Sequence, residues 1–353
     1  MTGQPTGTTT ILTGIKPTGR PHLGNYLGSI RPALALAQTG SAYYFVADGH
    51  ALTSVRRAGQ LRGLTFEVAA TWIALGLDPS RVTFYRQSGV PEIYELAWIL
   101  ACSTAKGLLN RAHAYKAAME LNQRAGHDAD ADINAGLYSY PILMAADILA
   151  VDADIVPVGR DQQQHIEMAR DIAAAFNRTY GSVLKMPEAR IQAPVQTITG
   201  LDGRKMSKSY RNTIPVLCES EELHRLVMRI VTDSRRPEEP KDPEQCNVFA
   251  IYRHMAPQEE IARLRRRYTL GGVAYQEVKE ALFQILDQSF APARERFANL
   301  MADQPGLTHI LETGAAAARA RARRVLARVR RAVGIDAPAI HNNQSMRLTA
   351  VTP

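Results

Sequence analysis

The chain has 353 residues, 46% of them hydrophobic and 22% charged, ordinary values for a globular protein large enough to bury two cores. No apolar run reaches the roughly 18 residues that suggest a membrane span, the start MTGQPTGTTTILTG lacks the pattern of a secretion signal, and three scattered cysteines (Cys102, Cys218, Cys246) argue against a disulfide framework or a zinc ribbon. The expected compartment is the cytoplasm, and the formal charge of +8 favours a polyanionic partner.

In chain order, the first half alternates short β-rich runs with helical stretches. The strands are expected at 11–15, 42–48, 82–88 and 154–159, with helices at 22–37, 60–76 and 92–101 between them. That alternation is the pattern of a parallel sheet with right-handed crossovers. A loop and the apolar helix YSYPILMAADILAV precede the fourth strand, RDQQQHIEMARDIAAAFNRTYG comes after it as a helix, and a last strand is expected near VQTIT. From about residue 216 the alternation stops. Helical patterns flank a Pro- and charge-rich connector, TDSRRPEEPKDPEQC, and end in the Arg-rich run RARARRVLARVRRAVG. The fold class is therefore α/β: a Rossmann-like parallel-sheet catalytic domain over 1–215, an all-helical C-terminal domain over 216–335, and a polar, flexible tail over 336–353.

Neither GxxxxGK[ST] nor GxGxxG occurs after the first strand, which removes the P-loop and the dinucleotide fingerprint. The first strand leads instead into KPTGRPHLGNYLGSI. Prolines stiffen its turn, and His22-Leu23-Gly24-Asn25 opens a helix whose free N–H groups and dipole suit an anion. His22 and Asn25, three apart, can both donate to phosphate oxygens, and a glycine at position 24 lets a ligand approach the backbone. Far downstream, GLDGRKMSKSYRN places Arg204, Lys205 and Lys208 on a loop among glycines and serines.

These two stretches together resemble the class I aminoacyl-tRNA synthetases. PTGRPHLGN looks like that class's first nucleotide signature, with Asn25 where histidine is usual, and KMSKS (205–209) matches the second letter for letter. GNYLG, GLYSYPILMAADIL, DIVPVGRDQQQHIEMARDIAAAFN and VTDS bring the resemblance closest to the bacterial type of tryptophanyl enzymes. It spans roughly residues 11–335. The resemblance implies formation of an aminoacyl adenylate from Mg-ATP, then transfer to the 3′ end of tRNA. Magnesium would arrive with the nucleotide, and homodimers are usual in the family. Negative charge that builds on the departing pyrophosphate would be met by Lys205 and Lys208 on a late-closing loop. His22 and Asn25 join them as catalytic groups. The nucleotide would further touch Lys16, Pro17, Thr18, Gly24, Gly159, Arg160, Asp161, Met206, Ser207 and Ser209, with Gly159–Asp161 at the ribose. The helical domain would read the anticodon of tRNA(Trp), its arginines on phosphates.

The amino acid is argued from one helix face. Tyr140, Met144 and Asp147 share it by the i, i+4, i+7 rule. Asp147 could partner a phenol or an indole N–H. The related tyrosyl enzymes usually carry glutamine where Met144 stands, and a soft apolar side chain suits a large ring. By the resemblance, Tyr140 would meet the substrate's amino group, Asp147 would accept the indole N–H, Gln162 would hold the amino acid, and His50 would line the pocket.

Two departures stand out from the family pattern: Lys16 and Gly49, each where glutamine is common. A cation at position 16 could contact the α-phosphate or the substrate carboxylate. DADADINAG resembles a calcium loop but has Ile133 and Ser139 where glycine and glutamate are required. The alternatives at this point are a tyrosyl enzyme, which Met144 disfavours, and a non-charging regulatory or antibiotic-resistant paralogue. Intact His22, Asn25, Lys205 and Lys208 speak against lost chemistry.

Overall fold

Five short strands run parallel in the order β3-β2-β1-β4-β5 in the computed structural model, which describes residues 8–17, 19–159, 162–191 and 198–336. They are β1 (Thr10–Ile15), β2 (Ser41–Val46), β3 (Thr83–Arg86), β4 (Ile155–Val158) and β5 (Glu188–Ile191). The order reverses beside β1, so a crevice opens at the carboxyl ends of β1 and β4. Period-two alternation splits the strand side chains between two cores. Ile11, Tyr44, Val46 and Phe84 pack on one face with Trp72, while Leu12, Phe45 and Tyr85 pack on the other with Ile142, Ile148 and Ile166.

The helices that position the site are α1 (23–36), α2 (Ala58–Ala74), α3 (Glu92–Ala101), α4 (His113–Arg124), α5 (Ala135–Ala150) and α6 (Gln163–Tyr180). α1 passes through a π turn at Tyr26–Ile30, a distortion frequent near functional sites. α5 continues through Pro141, although the ring removes the hydrogen bond that an N–H there would make to the Leu137 carbonyl.

The fifth strand forms at Glu188–Ile191 rather than in VQTIT, of which residues 195–197 lie outside the described residues. It is an exposed edge strand, tied to β4 when the Glu188 N–H donates to the Asp154 carbonyl at 2.8 Å. With residues of both faces exposed, the strand needs no apolar alternation, so its sequence gives no signal.

Beyond the sheet come α7 (Ser220–Met228), α8 (Asn247–Tyr252), α9 (Gln258–Leu270), α10 (Tyr275–Ala302) and α11 (Gln304–Val333). A third core, with Phe249, Tyr268, Leu282 and Leu286, also takes in Leu23 and Leu27 of α1 and Met206. The connector wraps around Lys241, whose buried ammonium donates to the carbonyls of Arg236, Pro237 and Glu239.

The Arg-rich helix α11 returns to the sheet. Ala318, Ala322, Val325 and Val329 enter the core beside β3, and Gly314 lies so close that a Cβ there would stand 1.9 Å from the Phe84 carbonyl oxygen. Its arginines meet carboxylates and carbonyls of the same layer. Arg319 and Arg323 share Glu92, Arg330 grips Glu95, Arg328 holds Asp152, and Arg321 donates to the Val151 carbonyl. These contacts use up positive charge that looked free in the sequence.

Candidate active site

A cavity of about 580 Å³ lies at the carboxyl ends of β1 and β4. Tyr140, Met144 and Asp147 from α5 all line it, as their helical spacing anticipates, together with His50, Gly159 and Gln162. Phe45, Val156, Ile148 and Ile166 add apolar walls. Such a chamber, mainly apolar with a few convergent polar groups, suits a flat aromatic ligand.

Asp147 is fully buried. Both its oxygens accept from Gln87 Nε2 (2.8 and 2.9 Å), and its Oδ2 also contacts His50 Nε2 at 2.9 Å. Burial raises the carboxyl pKa, and the hydrogen bonds from His50 and Gln87 oppose that rise. Oδ1, with one donor to Oδ2's two, keeps a lone pair for a further N–H. Gln87 is itself held, since its Oε1 accepts from the His50 backbone N–H at 3.2 Å. Gly49 has a spatial cause: a Cβ there would meet the Tyr94 hydroxyl at 2.5 Å and Gln87 Oε1 at 2.7 Å. The space that a glutamine side chain would take is filled from α3 and the end of β3.

Two turns earlier on the same helix face, the Tyr140 hydroxyl lies 2.7 Å from His165 Nε2, and His165 Nδ1 lies 2.6 Å from Gln162 Oε1. An amide oxygen only accepts, so Nδ1 carries the ring proton of a neutral His165 and Nε2 accepts from the phenol. The phenol oxygen then keeps lone-pair capacity for a cationic donor.

A second, smaller cleft of about 260 Å³ is lined by Lys16, Gly19, Pro21, His22, Asn25, Ser207 and Lys208. It joins the two motifs that stand some 180 positions apart in the chain. His22 and Asn25 form a reciprocal cap: the Asn25 N–H donates to His22 Nδ1 (3.3 Å), and the His22 N–H donates to Asn25 Oδ1 (3.1 Å). An accepting Nδ1 leaves the ring proton on Nε2. Burial, helped by the neighbouring Lys208 charge, pushes the His22 pKa down from 6.5 to about 4, so a neutral donor faces the cleft at pH 7. Lys208 is exposed, while partial desolvation lowers its ammonium pKa and Glu67 opposes the change.

Lys16 lines both cavities. Its Nζ donates to Thr53 Oγ1 at 2.8 Å, and burial lowers its pKa. The cation the sequence flagged as a departure thus stands at the junction of the chamber and the cleft.

Other residues take different places. Met206 is buried, and its sulfur accepts the Gly24 N–H at 3.3 Å, so these two brace the loop against α1 and line neither cavity. Lys205 and Ser209 are exposed and line neither cavity. Pro17 is buried under the turn. Thr18, Arg160 and Asp161 lie outside the described residues. The loop has a fulcrum that sequence reasoning missed. Buried Asn212 accepts from the Ser207 N–H (2.8 Å) and donates to Asp202 Oδ1 (2.6 Å) and the Lys205 carbonyl (3.1 Å). Gly200 is there because Asn212 leaves no room, its side chain 2.3 Å from where a Cβ would be. Close packing, rather than looseness, accounts for that glycine. Gln87, His165 and His113, which also lines the chamber, were missed as well. A polar residue just past a strand's carboxyl end, as Gln87 is, was the available signal.

The family model for class I tRNA synthetases (W and Y) matches residues 4–291. The chain belongs to that family. Within this synthetase family, a tryptophan–tRNA ligase of Pseudomonas aeruginosa is 52% identical over 333 residues, covering 93% of this chain and 74% of the relative. One from Xanthomonas campestris is 50% identical over 332 residues, covering 93% and 77%. Among solved synthetases, the tryptophanyl-tRNA synthetase of Campylobacter jejuni complexed with ADP and tryptophan superposes with a TM-score of 0.84. It is 39% identical, with 92% of this chain and all of that chain covered.

Proposed function

We propose that the chamber and the cleft are the two halves of one adenylate-forming site, with Lys16 between them. The chain is an ATP-dependent tryptophan–tRNA ligase. It activates L-tryptophan with ATP and transfers it to tRNA(Trp). In this reading the indole lies against Met144 and Phe45 and donates its N–H to Asp147 Oδ1. The amino group meets the Tyr140 oxygen, fixed by His165 and Gln162. The carboxylate then points at Lys16 and the α-phosphate beyond it. His22 Nε2–H, Asn25, Ser207 and Lys208 hold the triphosphate tail. Lys205 joins when the loop closes, with Gly159, Arg160 and Asp161 at the ribose.

The arrangement serves the chemistry by aiming positive charge where charge develops. As the carboxylate attacks the α-phosphorus, the pyrophosphate accumulates charge that a desolvated lysine stabilises more than it stabilises bound ATP. Magnesium accompanies the nucleotide as its counter-ion. The helical unit carries the anticodon contacts, the working form is a homodimer, and the compartment is the cytoplasm.

The observation that carries the reading is Asp147, a buried carboxylate with one unfilled lone pair at the end of an aromatic-sized chamber. Phenylalanine would leave that group unpaired, a mismatch that can cost about 10⁴–10⁵ in selectivity. ATP–pyrophosphate exchange with tryptophan, tyrosine and phenylalanine tests it. Exchange should depend on tryptophan, and equal rates with tyrosine would overturn the assignment.

A further inference from the structure

A separate cavity of about 330 Å³ lies on the outer side of the segment that walls the chamber, lined by Arg56, Arg57, Arg62 and Arg86 with Leu52, Val55 and Phe66. His50 and Thr53 face the chamber, while Leu52 and Val55 from the same turn face this cavity. Among the described residues, Arg56, Arg57 and Arg62 make no ion pair. Arg86 reaches Glu312 only at 4.0 Å. Asp48, the carboxylate in the described lining, already accepts from the Gly49 N–H and from the backbone and hydroxyl of Ser88. The contrast with α11 is direct, since there Arg319, Arg323, Arg328 and Arg330 meet carboxylates, and here three of the four arginines meet none. Arg57 also begins the 17-residue α2 without a side-chain cap, which adds the positive end of a helix to the cluster. Exposed Leu52 and half-buried Phe66 supply apolar surface among the cations.

We propose that this cavity binds the phosphates of the tRNA acceptor strand on its way to the adenylate. The proposal rests on the ligase reading above. Guanidinium groups interleaved with apolar surface are what a single RNA strand requires, charge for its backbone and a platform for its bases. Position supports the choice. Glu67, five residues and so about 7.5 Å along the helix from Arg62, contacts Arg20 at 3.4 Å, and its charge opposes the burial that lowers the Lys208 pKa. α2 therefore runs from the basic cavity to the signature loop. A strand held at its start lies beside the mouth of the site, whereas the triphosphate is served by the separate cleft around His22 and Lys208.

The test is the triple variant Arg56→Gln/Arg57→Gln/Arg62→Gln in the full chain, with Arg→Lys at the same positions as a fold and charge control. Tryptophan-dependent pyrophosphate exchange should stay within about twofold of wild type. The kcat/KM for tRNA should fall at least tenfold, with its log–log salt slope shallower by about two units, from roughly 0.7 per phosphate contact on single strands. An acceptor-stem minihelix should lose affinity for the variant, an anticodon stem-loop should not, and the lysine variant should recover most of the loss. Unchanged charging and salt slope would overturn the proposal. So would a parallel loss of exchange, which would assign the cavity to the nucleotide, or a loss confined to the anticodon stem-loop. If the wild type itself gave no tryptophan-dependent exchange, the ligase reading would fail instead, and the two failures are distinct.

Discussion

Replacing Gln87 with methionine keeps the side chain's length and removes both of its polar groups. The amide donates to both oxygens of a carboxylate that is fully buried, so no water takes its place. A hydrogen bond to a charged group is worth about 1.5–3 kcal/mol, and the lost acceptor for the His50 N–H adds about 1 kcal/mol. At about 1.4 kcal/mol per tenfold, the loss of carboxylate orientation alone should raise the KM for tryptophan about 10- to 100-fold. The KM for ATP should stay near wild type, because Gln87 does not line the phosphate cleft. Exchange kinetics and calorimetric tryptophan binding measure both. The effect also has a pH signature. Burial holds the Asp147 pKa above its ordinary 3.8, so the native state binds the extra proton in the window just above 3.8. This group therefore lowers stability as pH climbs through that window, while tryptophan affinity rises as the acceptor ionises. Losing Gln87, a donor to the ionised form, moves the window to higher pH. A tryptophan KM within twofold of wild type at every pH would refute the role given to Gln87 and weaken that given to Asp147.

The same geometry makes three further outcomes testable. Asn212→Ala removes the bonds to Ser207, Asp202 and Lys205, and should lower exchange kcat at least tenfold with little change in tryptophan KM; a normal kcat would show that the loop is positioned by other means. His22 is neutral above about pH 4, so its depressed pKa gives stability that is present above pH 6.5 and lost as pH falls from 6.5 toward 4. His22→Gln should flatten that part of the pH–stability curve in denaturant titrations, and an unchanged slope would contradict the assignment. Lys16→Gln should lower kcat by about 10²–10³ if Nζ meets charge formed in the transition state. Unaltered Michaelis constants and kcat would remove Lys16 from the mechanism.

Contiguity decided what could be read from the chain. KPTGRPHLGN and KMSKS are local strings, each needing one turn to form, and β1 to β4 carry the short apolar runs of parallel strands covered on both faces. Tyr140, Met144 and Asp147 were legible because helical periodicity alone puts them on one face. Gln87 and His165 were not, since their meaning lies in contacts with Asp147 and Tyr140, 60 and 25 positions away. Asn212 lies next to the motif it supports, yet a buried asparagine and a surface one look alike in sequence. The Arg-rich helix shows the limit most clearly. Its charge suggested RNA, but Glu92, Glu95 and Asp152, brought in from 170 to 240 positions away, take up much of it.

The central claim, that cations of the 205–208 loop stabilise the departing pyrophosphate, is tested most directly by tryptophan-dependent exchange in the Lys205→Ala/Lys208→Ala double variant. One preorganised donor contributes about 3–4 kcal/mol. The account therefore predicts a kcat at least a thousandfold below wild type, with calorimetric tryptophan affinity preserved. Exchange at the wild-type rate would contradict it.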